Sequence, residues 1–272
     1  MRLNVFRQEL RMGRRSFWGW LAALVLLSGF FAWMYPVVAK DFDAFLSILD
    51  HFPKEFALAF GVDLMRFGTI LGFFAFLFTF VLLAASIQAL GLGLSVLSAE
   101  VRDKTADFLY AKPVSRSRIL GQKILAVFVQ IIAANLVYLA STYAVLLAVN
   151  AYATPNKALP ADTYLLLGLS MFLLQSVFAA IGFFLSSFLR RVRTVLPISM
   201  GVVFFFYFLN MLKDALEIEE MAYLTPFAYF NLSTALVEGA YETRFLFLAA
   251  TLVIGLTALA WTIYSRKDMP AI

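Results

Sequence analysis

The chain has 272 residues, of which 62% are hydrophobic and only 14% charged, and its 30 Phe alone exceed what a soluble core of this length can enclose. Its net charge of +5 is spread between apolar runs instead of being gathered on one face, so it reports membrane topology and excludes a nucleic-acid binder. With no Cys there is neither a disulfide framework nor a thiolate metal site, and the single His51 cannot form a histidine cluster, so no metal site is expected.

The expected fold is all-α: a polytopic membrane protein with six transmembrane helices, the whole chain 1–272 forming one transmembrane domain. Residues 1–16 place Leu3, Phe6 and Leu10 on one stripe, with Arg2, Arg7, Arg11, Arg14 and Arg15 around it. That pattern predicts an amphipathic interfacial helix, with Phe6, Arg7, Leu10 and Arg11 as its characteristic residues. The first span follows at about 17–38, too long for the apolar region of a cleaved signal peptide, which runs about 7–15 residues. Residues 40–66 form a polar loop with five acids and short helices.

The second span, about 67–97, is longer than a bilayer requires and is expected to tilt or project. Gly72, Thr79, Ser86 and Gly93 recur along it every seven residues, and Gly68 with Gly72 makes a GxxxG. Small residues on one stripe predict a close helix contact. Next comes the longest strongly charged run, 98–123, SAEVRDKTADFLYAKPVSRSRILGQK. From Glu100 to Tyr110 the pattern is helical: Val101, Thr105, Phe108 and Leu109 share one face, and Arg102, Asp103, Lys104 and Asp107 take the other. Pro113 forces Lys112 out of the helical region, and a second short helix begins near Ser115 and Arg116. The run is a hinge between two spans.

The third span is expected at about 124–149 and the fourth at about 164–189, followed by a tight turn at Arg190, Arg191 and Arg193. The fifth occupies about 194–212 and the sixth about 244–264. Between these last two, residues 213–243 are too polar, and too broken by Pro226 and Gly239, to cross alone. They are expected as re-entrant outer helices whose backbone is covered by protein.

Charge supplies the orientation. Sixteen of the 22 Lys and Arg fall in 1–16, 98–123, 190–193 and the C-terminus, and 12 of the 17 acids fall in the other loops. Both termini and the hinge are therefore expected in the cytoplasm, with 40–66, 150–163 and 213–243 outside a cell membrane.

The chain has no GxxxxGK[ST], no HExxH and no material for a Ser/His/Asp set, so no catalytic residue is assigned. No ionisable residue lies well inside a predicted span, where an ion-coupled carrier would hold its relay. Gln88, Gln130, Asn135, Gln175 and Asn210 are the strongest polar groups there. Asn135, Tyr138 and Thr142 share a face of the third span and, with Gln175 and Asn210, are candidates for a substrate path; the competing role is hydrogen bonding between helices.

A chain that moves a substrate without an energy source of its own needs a partner, and the hinge is the feature for a partner to grip. Its AEVRDKTADFLYAKPVSRSRILGQKIL resembles the signature of ABC-2 permeases, the membrane subunits of type-2 ABC exporters, with Glu100, Thr105, Phe108, Leu109, Pro113, Ser115, Arg116, Gly121 and Lys123 in the signature places. The resemblance extends to the N-terminal RQELR, to SSFLRRVRTVL and to LTPFAYFNLSTALVEG, where Asn231 replaces an Asp common in such permeases.

The resemblance implies a non-catalytic subunit of a prokaryotic exporter, paired with a second copy or a paralogous permease. ATP and Mg would be bound by separate ATPase subunits, and no cofactor is expected in this chain. Glu100, Arg102, Lys104, Thr105, Phe108, Leu109, Pro113, Ser115 and Arg116 would form the coupling helix and its exit, seated on the ATPase together with the N-terminal helix. An aromatic, uncharged interior favours an amphipathic or hydrophobic substrate such as a peptide antibiotic, lipid or drug. The alternatives are a membrane scaffold or assembly factor without transport and an ion-coupled secondary carrier.

Overall fold

A computed structural model describes residues 4–41, 68–102, 116–154, 158–189 and 194–266. Most of the 40–66 loop, the centre of the hinge and the 190–193 turn lie outside the described residues. Among those described there are helices and no strands. Helix α1 is Asn4–Lys40, α2 Ile70–Arg102, α3 Arg116–Ala153, α4 Ala161–Phe188 and α5 Val195–Leu216. Two 3-10 helices follow, Glu219–Leu224 and Pro226–Phe230, then α6, Leu232–Glu238, and α7, Thr243–Arg266. Six of these, α1 to α5 and α7, are long and apolar enough to cross a membrane.

The first difference from the sequence reading lies in α1. The expected interfacial helix and first span are one unbroken 37-residue helix, about 55 Å long at 1.5 Å per residue. Gly13 and Gly19, weak helix formers on either side of the expected joint, both stay helical, and at Gly13 the missing Cβ leaves room for the Gln130 side-chain amide of α3. The stripe of Phe6, Leu10, Gly13 and Phe17 thus continues into the bundle contact, and Phe6 and Leu10 are half-buried.

Helices α2 and α4 form the centre, each with 67% of its most apolar stretch buried, against 28% for α1, 17% for α5 and 11% for α7. They run parallel, because the partner offset stays nearly constant along the seam: Gln175 donates to the Ala85 carbonyl (3.4 Å), Gly182 faces Gly93, and Ser186 Oγ donates to the Leu94 carbonyl (2.9 Å). A Cβ on Gly93 would collide with the Ala179 carbonyl, and one on Gly182 with the Leu90 carbonyl. Only glycine lets the two backbones approach this closely. Gly93 lies on the predicted small-residue stripe; its counterpart Gly182 was not foreseen.

Helix α1 runs antiparallel to α2, with Tyr35 OH donating to the Gly68 carbonyl (3.2 Å), the Tyr35 and Phe73 rings 5.7 Å apart and Phe31 6.4 Å from Phe80. At the other end of the bundle, Gly121 near the start of α3 abuts the Trp261 ring near the end of α7. The start of α1 and the end of α7 therefore lie at the same end of the bundle as the hinge roots.

Residues 217–242 fold back against the opposite end. Thr225 Oγ1 donates to the Phe206 carbonyl (2.8 Å), Phe227 packs on Phe178 (5.3 Å) and Tyr207 (5.5 Å), and Tyr229 stacks on Phe245 (5.6 Å). Asn231 caps α6, accepting from the N–H groups of Ser233 (2.9 Å) and Thr234 (3.1 Å), and Gly239 closes that helix at φ +66°. An Asn caps as well as an Asp does, so the departure at position 231 costs the segment nothing in helix capping.

Candidate functional site at the hinge end of the bundle

Arg102 is the last residue of α2 and Arg116 the first of α3, so the two helices deliver the chain into and out of the hinge. Glu100 and Arg102 stand on the end of α2, and Arg116 on the start of α3. Lys104, Thr105, Phe108, Leu109, Pro113 and Ser115, and with them the expected 100–110 helix beyond Arg102, lie outside the described residues.

The hinge roots themselves are tied by one side chain. Lys123, two turns into α3, sends its ammonium to Glu9 Oε1 of α1 (2.9 Å) and donates to the Val96 carbonyl of α2 (2.8 Å). Only 2% of the Lys123 side chain is exposed, and 24% of Glu9. A buried ammonium costs several kcal/mol unless paired and hydrogen-bonded, and Lys123 is both. One residue earlier, Gln122 Oε1 accepts from the Phe6 backbone N–H (3.3 Å), a first-turn donor that α1 cannot satisfy internally. The N-terminal turns of α1 are thereby fixed to α3 and, through Lys123, to the exit of α2. Arg7 and Arg11, on another side of α1, are exposed.

Sequence reasoning placed Lys123 in the motif without a role and missed Glu9 and Gln122. One signal was available. Glu9 is the lone acid among the arginines of 1–16, and a solitary acid in a basic helix invites a cationic partner.

The candidate path residues belong to two buried polar clusters and one separate site. In the first cluster Asn135 Nδ2 donates to Gln175 Oε1 (2.6 Å) and to the Ile131 carbonyl (2.8 Å), while Gln175 Nε2 reaches the Ala85 carbonyl and Gln88 Oε1 (3.4 Å each). This joins α3, α4 and α2. In the second, Ser28 and Tyr138 share a 2.5 Å hydrogen bond, Thr142 donates to the Tyr138 carbonyl (2.8 Å), and the Tyr164 hydroxyl meets both Thr142 (2.5 Å) and the Leu139 carbonyl (2.8 Å). That joins α1, α3 and α4. Asn210 stands apart near the end of α5, donating to Asp214 (2.9 Å). These contacts are bridges between and along helices, and they leave Asn135 Oδ1 and Asn210 Oδ1 buried without a partner.

Six apolar helices around a polar-laced core, with a charged hinge rooted in a three-helix clamp, define a multi-pass membrane protein. The family model for the ABC-2 family transporter protein matches residues 3–269, nearly the whole chain, and the chain belongs to that family. It is thus the membrane permease component of an ABC transporter, a class of subunit that works with an ABC ATPase and is generally non-catalytic. Comparison with curated proteins finds no match.

Proposed function

We propose that this permease exports an amphipathic or hydrophobic substrate, driven by ATP hydrolysed in a separate ATPase subunit that holds the nucleotide and Mg. The observation that carries the coupling is the Lys123 clamp: α1, the exit of α2 and the entry of α3 are held together at the roots of the hinge. A push on the 98–123 segment would reach three spans at once through packed helices and an ion pair, the kind of connection that transmits a rigid-body movement. The coupling surface in this reading comprises the 100–110 helix, Pro113 to Arg116, and the exposed Arg7 and Arg11. In this reading the permease pairs with a second copy or a paralogous permease in the membrane. Asn135 Oδ1 retains the free acceptor capacity a substrate contact would need.

The test is copurification with the ATPase and stimulation of its hydrolysis. Replacing Arg102 and Lys104 by Glu, or Phe108 by Asp, should weaken both while leaving insertion intact; undiminished coupling would overturn the role of the hinge. Vesicles containing the complex should move substrate with ATP alone and stop with a hydrolysis-dead ATPase. Movement driven by a proton or sodium gradient without nucleotide would instead establish a secondary carrier, and an intact complex that moves nothing would favour a scaffold.

A further inference from the structure

Arg7, Arg11, Arg14 and Arg15 follow the spacing i, i+4, i+7 and i+8 along α1, and Trp18 extends the row at i+11. On a helix of 3.6 residues per turn these five share one face. All are exposed, Trp18 by 53%. Glu9, the one acid between Met1 and Lys40, lies on roughly the opposite side of the helix and is committed to Lys123. Among the described residues, none of the four arginines is in ion-pair contact with a carboxylate. The stripe is therefore cationic and uncompensated, and its helix runs unbroken into the first span.

We propose that the upper part of this stripe, Arg14 and Arg15 with Trp18 above them, is a docking site for the phosphates of anionic lipids in the surrounding membrane. The argument is one of depth and charge. The unbroken apolar run begins at Phe17, so Arg14 and Arg15 sit about 3–5 Å beneath it, Arg11 about 9 Å and Arg7 about 15 Å, at 1.5 Å per residue. The headgroup layer is about 5–7 Å thick on each side of the hydrocarbon. Arg14 and Arg15 fall within it. Arg11 reaches it by extending its long aliphatic stem upward, and Arg7 lies beyond it. Trp18, at the level where indole rings gather in membrane proteins, fixes the height of the helix. Guanidinium groups bind phosphate through paired hydrogen bonds, and their uncompensated charge favours a headgroup of net negative charge over one whose phosphate is offset by its own choline cation. A protein partner approaching from the aqueous side would show the reverse gradient and engage Arg7 and Arg11 most.

The full chain, purified and equilibrated in mixed micelles with equal phosphatidylglycerol and phosphatidylcholine, can be examined by native mass spectrometry for the ratio of the two lipids bound. Arg14→Gln and Arg15→Gln should each lower the phosphatidylglycerol preference about fivefold, Arg11→Gln less, and Arg7→Gln less than twofold. Arg14→Lys should retain most of the preference. Raising salt from about 0.05 M to about 0.5 M should erode the preference of the unaltered protein, a measurement that needs no variant to fold. No preference in the unaltered protein, indifference to Arg14 and Arg15, or a loss greatest at Arg7 together with lost ATPase copurification would overturn the proposal. Copurification that survives Arg14→Gln while the lipid preference falls would separate this site from the coupling surface.

Discussion

Glu9 and Lys123, in different helices and far apart in sequence, meet at 2.9 Å beside the exit of α2. Removing one partner of a buried pair leaves an uncompensated charge, which costs more than the intact pair contributes. Glu9→Gln should therefore lower thermal stability by about 3 kcal/mol, since it strands the almost fully enclosed Lys123. Lys123→Met, which keeps the side-chain volume and leaves behind only the partly exposed Glu9, should cost less. The double variant should regain stability relative to Glu9→Gln while losing coupling to the ATPase. Detergent-solubilised thermal unfolding together with ATPase stimulation checks both halves.

The Gly93–Gly182 contact gives a prediction of a different kind, because the obstacle to substitution is backbone. Alanine at either position would force α2 and α4 apart along their shared seam. Each single variant should be destabilised by roughly 1–3 kcal/mol, in the range for overpacking. Once one alanine has spread the helices, the second meets less resistance, so the double variant should fall short of additivity. A thermal-unfolding cycle over the four proteins measures this.

The spans were legible because the membrane imposes a length and an apolar run that composition alone reveals. α3 begins at Arg116 and α7 ends at Arg266, close to the expected limits once the polar ends of each helix are included. The packing was only half legible. Gly93 stood out on a seven-residue stripe, and although Gly182 with Ser186 makes a small-xxx-small spacing, only the parallel register of α2 on α4 pairs Gly182 with Gly93. What covers the N-terminal stripe was not legible, for a similar reason. An amphipathic stripe states that one face is covered and does not say by what; here α3, through Gln122 and Lys123, covers the Phe6 and Glu9 side of α1. The roles of Asn135 and Gln175 likewise depended on a meeting between helices that neither sequence position encodes by itself.

That meeting can be measured. The 2.6 Å hydrogen bond from Asn135 to Gln175 links α3 and α4 in a buried setting. Polar contacts between membrane helices average about 0.6 kcal/mol in double-mutant cycles and reach about 1.7 kcal/mol. Asn135→Ala and Gln175→Ala should therefore couple by roughly 0.5–2 kcal/mol, with the Gln175 truncation the more costly because it also releases the Ala85 and Gln88 contacts. Equilibrium unfolding of the cycle in mixed micelles reads the coupling directly.

Burial of the outer segment predicts a sensitivity to alkali. Tyr229 and Tyr241 are both pushed up to about 12 from the ordinary 10.0, chiefly by burial, which opposes the phenolate. A hydrogen bond with Ser170 partly offsets the shift at Tyr241. A group whose folded pKa is raised stabilises the protein fully below the unfolded value and loses that contribution as pH climbs through the folded one. Thermal stability should hold to about pH 10 and fall between about pH 10 and 12. Tyr241→Phe gives up the 3.0 Å bond to the Leu166 carbonyl and should cost about 1 kcal/mol at neutral pH, while making the alkaline decline shallower.

Orientation is the last expectation open to direct measurement. The alternating helix directions bring the start of α1, the end of α7 and the hinge roots to one end of the bundle, and the excess of Lys and Arg predicts that this end is cytoplasmic. The sequence has no Cys, so single cysteines at Asp50, Lys157, Glu219 and Lys112 can be labelled without background. An impermeant maleimide applied to intact cells should reach the first three and leave position 112 unlabelled until the membrane is opened. Glu219 is the most informative site, since its side chain is exposed at the end of the bundle opposite the Glu9–Lys123 clamp. Labelling at position 112 with protection at 219 would turn the protein over, placing the hinge where no cytoplasmic ATPase could engage it. The coupling proposal would then fail even with every helix contact intact.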